Sequence, residues 1–139
     1  MGAVQSLIEA SIFAFVVVWP PLLMDLSVPQ GVIFAMLMGS LSAGAATLHS
    51  VSKYNVGSQT LLVALHLATL AFLVLTVLQF LSPKPPPVLS LIAALMIEFA
   101  AGIYFPSFGS LLSVVVPESV RASIANLYRY VTVSKPYFL

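Results

Sequence analysis

Residues 59–81 read QTLLVALHLATLAFLVLTVLQFL, a stretch without a single Asp, Glu, Lys or Arg. A helix that crosses the hydrocarbon core of a bilayer needs about 20 predominantly apolar residues. The stretch is long enough, and it lies inside a longer interval without these charged residues, between Lys53 and Lys84. A second such interval runs from Asp25 to Lys53. The two intervals predict membrane-spanning helices.

The composition of the whole chain also indicates that it lies in lipid. Of the 139 residues, 60% are hydrophobic and 6% are charged, whereas about 25% of residues are charged in a typical soluble domain. Only helices and closed barrels satisfy their backbone hydrogen bonds in lipid, and these long apolar runs lack the alternation of barrel strands. We therefore predict an all-α membrane protein with four to five transmembrane helices, embedded in the lipid bilayer.

Composition also argues against several classes of function. A net charge of +1 provides no basic field for nucleic acid, and the absence of cysteine excludes disulfides and thiolate metal sites. No nucleophile–base arrangement, phosphate-binding glycine loop or metal-ligand cluster stands out among the few polar residues. We expect neither enzymatic activity nor a cofactor or metal.

Prolines, glycines and charged residues divide the chain into spans. The run Ser82-Pro83-Lys84-Pro85-Pro86-Pro87 separates the third span from the fourth, since each proline lacks an N–H and restricts its predecessor. The fourth span is long and is expected to be tilted or kinked at Pro106. We predict one partial transmembrane domain, residues 1–139, with spans over about 3–24, 31–49, 59–81, 88–115 and 119–139, the last either short or truncated.

The basic residues of the connections predict the orientation of the chain. Cytoplasmic loops of membrane proteins carry an excess of Lys and Arg. Lys53 and Arg121 lie in the second and fourth connections, on one side, and Lys84 lies in the third, on the other side with Asp25. We therefore expect the N-terminus to be cytoplasmic.

Small residues predict where helices pack closely. Ser40 and Gly44 form a small-xxx-small pair in the second span, and Gly102 lies in the fourth. Such residues let a neighbouring backbone approach. We expect all three to lie at helix contacts.

Two acids within the predicted spans are the candidate functional residues. A charge at the bilayer centre costs about 2.5–3.5 kcal/mol on insertion scales, so it usually faces a cavity or a partner. Glu9 and Glu98 also share their context, with Ile before each acid and aromatic residues and proline after it. Because the two spans cross the membrane in opposite directions, the match fits an inverted three-helix repeat. Two other interpretations stay open, an interfacial Glu9 with its carboxylate in water and a protonated or hydrogen-bonded structural Glu98. His66 is expected to be an interior histidine bonded to a neighbouring helix, with a proton relay as the alternative.

Four sequence blocks together resemble the molybdate-anion transporter branch of the major facilitator superfamily. In chain order they are Glu9…Phe15-Val16…Trp19-x-Pro21; Pro29-x-Gly31-x-Ile33-Phe34-Ala35…Met38…Ser42-x-Gly44; Glu98…Gly102-Ile103-Tyr104-Phe105-Pro106-Ser107; and Pro117-Glu118…Arg121-Ala122-x-Ile124-x-Asn126-Leu127-Tyr128-Arg129.

The resemblance implies a fold and an activity. It implies a transporter of two six-helix halves, of which this chain would hold an incomplete C-terminal half with a cytoplasmic start. The implied activity is uptake of the oxyanion molybdate by alternating access, with the plasma membrane as its location. Glu9 and Glu98 would be coupling or gating acids on the cavity-lining helices, and Arg129 an anion contact. The chain departs from the family after Arg129 and lacks the N-terminal half, so we expect a fragment of the intact protein.

A different class of function also stays open. The chain could be a small multi-helix membrane interaction or accessory protein without transport activity of its own. In that case a second copy could supply the missing half, with the Ser40 and Gly44 face as the dimer contact.

Overall fold

The residues that the structure describes form four long helices. A computed structural model describes residues 2–51, 57–81 and 86–115 continuously, and beyond them residues 117, 119, 120, 123 and 126 alone. The helices are α1 Gly2–Leu22, α2 Gln30–Val51, α3 Gly57–Leu81 and α4 Pro87–Val115. Each contains a stretch long and apolar enough to cross a membrane. The prediction of an all-α integral membrane protein is confirmed, and most of the predicted span 119–139 lies outside the described residues.

Prolines begin helices in the structure. The carbonyl of Pro29 accepts hydrogen bonds from the N–H groups of Val32 and Ile33, at 2.9 and 3.3 Å. The carbonyl of Pro86 accepts in the same way from the residues three and four positions later, both at 3.1 Å. A proline at a helix start loses nothing by lacking an N–H, because the first N–H groups of a helix have no partner within it. The prolines thus fix where α2 and α4 start.

Pro106 lies inside α4, which continues through it to Val115. Because proline has no N–H, it cannot donate to the carbonyl of Gly102, one turn earlier. The predicted kink or tilt at Pro106 stays a prediction.

Contacts divide the chain into two compact units. One comprises residues 19–111, and the other comprises residues 1–18 with 112–139. The first unit contains α2, α3, the end of α1 and most of α4. In α4, 56% of the membrane-crossing stretch is buried, against 17% in α2 and in α3. α4 is therefore the helix most enclosed by protein. The prediction of one partial transmembrane domain stays a prediction.

An aromatic pair connects the end of α1 to the start of α2. The rings of Trp19 and Phe34 stack with their centroids 6.3 Å apart and their planes 27° apart. Trp19 is half-buried, and it is the only tryptophan of the chain. Its fluorescence can therefore report on the packing of the end of α1 against the start of α2.

Candidate functional site

A close helix contact joins α2 and α4 through two glycines. A Cβ added to Gly44 would overlap the carbonyl oxygen of Phe99 and lie 3.2 Å from the Cα of Gly102. A Cβ added to Gly102 would overlap the carbonyl oxygen of Leu41 and lie 3.1 Å from the backbone nitrogen of Ala45. Backbone atoms cannot rotate away as side chains can. Glycine at both positions is therefore what allows this approach.

A hydrogen bond reinforces the same contact. The Ser40 hydroxyl of α2 donates to the Leu95 carbonyl of α4 over 2.7 Å. The structure thus brings Ser40, Gly44 and Gly102 to one interface within the chain. The Ser40 and Gly44 face is occupied by α4, so it is not free to bind a second copy.

Glu98 lies on the buried part of α4, one turn before Gly102. It is 5% exposed, and its carboxyl group makes no hydrogen bond or ion pair with the part of the chain that the structure describes. The buried positions just before and after it along α4 are small or apolar: Ala94, Ile97, Ala100 and Ala101. A carboxyl group in such surroundings is costly to keep unless it binds a proton or an ion, or faces water during function.

A second buried polar group lies two turns before Glu98 on α4. Ser90 is 0% exposed, and its hydroxyl has no hydrogen-bond partner among the described residues. Most other serine and threonine hydroxyls in the helices donate to the carbonyl four residues earlier, as Ser107 does to Ile103 over 2.7 Å. Ser90 and Glu98 are therefore two buried groups on α4 with unused hydrogen-bonding capacity.

Glu9 has a partner that the sequence analysis missed. The Gln5 amide nitrogen donates to Glu9 Oε1 over 2.9 Å, within α1. Gln5 is 7% exposed, and its Oε1 has no partner among the described residues, whereas Glu9 is half-buried. The sequence contained a signal for this hydrogen bond, since Gln5 and Glu9 are four residues apart and such residues lie on the same side of a helix. The pair orients the Glu9 carboxylate.

The candidate residues Glu9 and Glu98 lie in different units, and Arg129 is not among the described residues. Glu9 belongs to the unit of residues 1–18 and 112–139, and Glu98 belongs to the other. Arg129 lies outside the described residues. Among the residues that the structure describes, no three His, Cys, Asp or Glu side chains form a group that could hold a metal ion.

The position and the hydrogen-bond partner of His66 differ from those predicted. It lies on the exposed side of α3, and its Nδ1 is 2.7 Å from the carbonyl oxygen of Leu62 in the same helix. Because a carbonyl oxygen only accepts, Nδ1 carries the hydrogen and donates. The imidazole is therefore bonded to its own helix and not to a neighbouring one.

Comparison with known proteins gives one family and a consistent set of relatives. Residues 1–104 match the family described as sugar transporters with 12 transmembrane segments. The chain is 35% identical over 132 residues to the molybdate-anion transporter of Danio rerio and 30% identical over 132 residues to that of Takifugu rubripes. It is 29% identical over 131 residues to that of Xenopus tropicalis.

The coverage of these matches is asymmetric. They include 93% of this chain, but the chain spans only 27–29% of the length of these relatives. No solved structure matches the chain.

Proposed function

Because the chain belongs to the major facilitator superfamily, in the branch of the molybdate-anion transporters, we propose that it supplies transmembrane helices to a transporter of a tetrahedral oxyanion. The observation that carries this proposal is the similarity to molybdate-anion transporters along 93% of the chain. The proposed substrate is molybdate, the proposed mechanism is alternating access, and the proposed location is the plasma membrane. This activity is transport and not an enzymatic reaction.

The proposed place of the chain is the C-terminal half of a two-half transporter. The order of the four sequence blocks supports this placement. The chain's share of its relatives' length, 27–29%, fits a part of one half. The remaining helices would come from sequence outside this chain. In alternating access, one half moves as a nearly rigid body against the other around a central site. The tight contact of α2 with α4 through Gly44 and Gly102 suits such a rigid body.

Glu98 is the proposed coupling acid. It is buried on the most enclosed helix and has no partner in the described part of the chain. A group of this kind can bind a proton when the surrounding cavity is closed and release it when the cavity fills with water. Proton transfer at Glu98 would then accompany the change of conformation that carries the anion.

Glu9 and Arg129 complete the proposed set. Glu9 is held by Gln5 in one orientation on α1, which suits a gating acid that must meet its partner at a fixed place. A dianion such as molybdate needs cationic or N–H donors, and Arg129 is the proposed anion contact in the intact protein.

A chimera tests the proposed function. The chain replaces the matched region of the Danio rerio molybdate-anion transporter, and uptake of radiolabelled molybdate is measured in cells, with the unmodified transporter and an empty vector as controls. Uptake above the vector, inhibited by excess unlabelled molybdate, is the expected result. A chimera that reaches the membrane in normal amount and takes up no more molybdate than the vector would contradict the proposal.

A variant of the chimera tests the role of Glu98. Glu98→Gln keeps the size of the side chain and removes its proton exchange, so we expect slower uptake that no longer varies with external pH. The matched control is Ser42→Ala, because Ser42 is exposed and its hydroxyl donates to Met38 of the same helix over 2.9 Å. Unchanged uptake with an unchanged pH dependence in Glu98→Gln would exclude the coupling role.

A further inference from the structure

Two residues of α2, Ser40 and Gly44, hold one stretch of α4 in place. The Ser40 hydroxyl donates to the Leu95 carbonyl over 2.7 Å, and Gly44 lies against the backbone of Phe99 and Gly102. These contacts are distributed over about two turns of α4. A shift of α4 along its axis or a rotation about it would break the hydrogen bond or drive the two backbones into each other. Ser40 and Gly44, here called the α2 clamp, therefore fix both the depth and the rotation of α4.

Glu98 lies within the stretch of α4 that the α2 clamp holds. It is between Leu95 and Gly102, so contacts with α2 restrain its backbone from both sides. Its carboxyl group makes no hydrogen bond or ion pair with the described part of the chain. A carboxyl group without a partner is not held in place by its own contacts. The backbone of α4 therefore determines where this group lies.

A cavity beside α4 leaves the helix room to move. The cavity has a volume of about 370 Å³ and lies between α2, α3 and α4. Its lining is apolar except for one serine: Ser40, Leu67, Ile92, Leu95, Met96 and Phe99. Three of these residues, Ile92, Met96 and Phe99, lie roughly 100° or more around α4 from Glu98. A filled core would restrain the helix on that side, whereas here the α2 clamp keeps α4 from moving toward the cavity.

We propose that Ser40 and Gly44 are positioning residues for the coupling acid, since they fix α4 and thereby the place of the Glu98 carboxyl group. The inference rests on the coupling role proposed for Glu98. Neither residue carries a titratable group, so their effect passes through the backbone of α4. Loss of the α2 clamp lets α4 move toward the cavity, and the Glu98 carboxyl group moves with the helix into different surroundings.

The reactivity of Glu98 with a hydrophobic carbodiimide tests the positioning. This reagent modifies carboxyl groups inside membranes, and mass spectrometry of the chimera with the Danio rerio transporter measures the modification of Glu98 and of Glu9 separately. Ser40→Ala removes one interhelical hydrogen bond, which in a membrane protein is worth about a threefold change in an equilibrium. We therefore expect Glu98 to be modified about threefold faster in Ser40→Ala, and Glu9 to be modified at an unchanged rate.

Matched variants separate positioning from a general loss of stability. Ser40→Thr keeps the hydroxyl, and its methyl group has room in the cavity, so it should restore the original rate at Glu98. Ser42→Ala removes a hydroxyl that bonds within α2 and should leave that rate unchanged. Gly44→Ala should have a larger effect than Ser40→Ala, because the added Cβ overlaps the backbone of α4. Gly39→Ala, where the added Cβ has nothing within 4 Å, should have none.

An unchanged rate of Glu98 modification in both Ser40→Ala and Gly44→Ala would overturn the proposal. Equal acceleration at Glu98 and Glu9 would also overturn it, because it would show a general loosening of the protein. Molybdate uptake by the same chimeras distinguishes this failure from a failure of the proposed function. If Glu98 is modified faster in Ser40→Ala while uptake and its pH dependence stay unchanged, the α2 clamp positions Glu98 and the coupling role of Glu98 is wrong.

Discussion

Replacing Gly102 by alanine should force α2 and α4 apart. The new Cβ would overlap the carbonyl oxygen of Leu41 and lie 2.9 Å from its carbonyl carbon and 3.1 Å from the Ala45 nitrogen. All three atoms belong to the backbone, so no change of rotamer relieves the overlap. Ordinary contact distances of about 3.5 Å return only if the helices separate by about 1.5 Å.

The structure sets the size of this effect. Overpacking a core position typically costs about 1–3 kcal/mol. A separation of about 1.5 Å would also lengthen the Ser40–Leu95 hydrogen bond from 2.7 Å beyond bonding distance. Such a bond in a membrane protein is worth about 0.6 kcal/mol. Alanine recovers up to about 1 kcal/mol of helix propensity relative to glycine. We expect a net loss of about 1–3 kcal/mol in the free energy of unfolding.

The assay is unfolding of the purified chain in mixed micelles with increasing SDS, followed by the fluorescence of Trp19. The matched control is Gly39→Ala in α2, where an added Cβ has nothing within 4 Å. Because only the gain in helix propensity acts there, Gly39→Ala should be neutral or slightly stabilising. Gly44→Ala should resemble Gly102→Ala, and the double substitution should cost less than the sum of the two, since the helices separate once for both.

The difference in unfolding free energy between Gly102→Ala and Gly39→Ala tests the α2–α4 contact. If Gly102→Ala and Gly39→Ala change the unfolding free energy equally, the α2–α4 contact is not where the structure places it. Additive effects of the two glycine substitutions would likewise show that they do not share one contact.

Two further predictions use the same unfolding assay. Ser40→Ala removes the hydroxyl that bonds α2 to α4 and should cost about 0.6 kcal/mol, whereas Ser42→Ala, whose hydroxyl bonds within its own helix, should change the stability little; equal losses would show that the bond to α4 contributes nothing. Glu98→Leu removes a buried acid without a partner in the described chain and should raise the unfolding free energy, by up to about 3 kcal/mol, while abolishing molybdate uptake by the chimera. A destabilised Glu98→Leu variant would indicate that the carboxyl group has a structural partner.

The sequence was sufficient to predict the class of fold. The long intervals without charge around Lys53 predicted membrane-spanning helices, because hydrocarbon excludes unpaired charges regardless of tertiary detail. The resemblance to molybdate-anion transporters was also predicted correctly, from blocks of residues along four segments, and the relatives confirm it over 93% of the chain.

Contacts between helices were harder to predict. Ser40 and Gly44 predicted a close contact with another helix, but the spacing of small residues does not identify that helix. α4 lies far from α2 in the sequence, and only the fold shows that the partner is the segment around Gly102. Gln5 was missed because a glutamine near the start of an apolar helix resembles an interfacial residue until its amide is seen bonded to Glu9.

The orientation of α3 could not be predicted for a physical reason. Its apolar residues are distributed evenly around the helix, so no periodic pattern marks the side that faces protein. His66 was therefore assigned to the interior by the general preference of intramembrane polar groups, whereas the structure places it outside.

Four helices that cross the membrane in alternating directions are the basis of the proposed fold and function. The absence of native cysteine allows single cysteines to be placed at Asp25, Lys53 and Lys84, which lie between successive helices, and probed with a membrane-impermeant maleimide on intact cells. We expect labelling from outside at positions 25 and 84, and labelling at position 53 only after the membrane is permeabilised. If position 53 were labelled on intact cells together with either of the others, the alternating path through the bilayer would be contradicted.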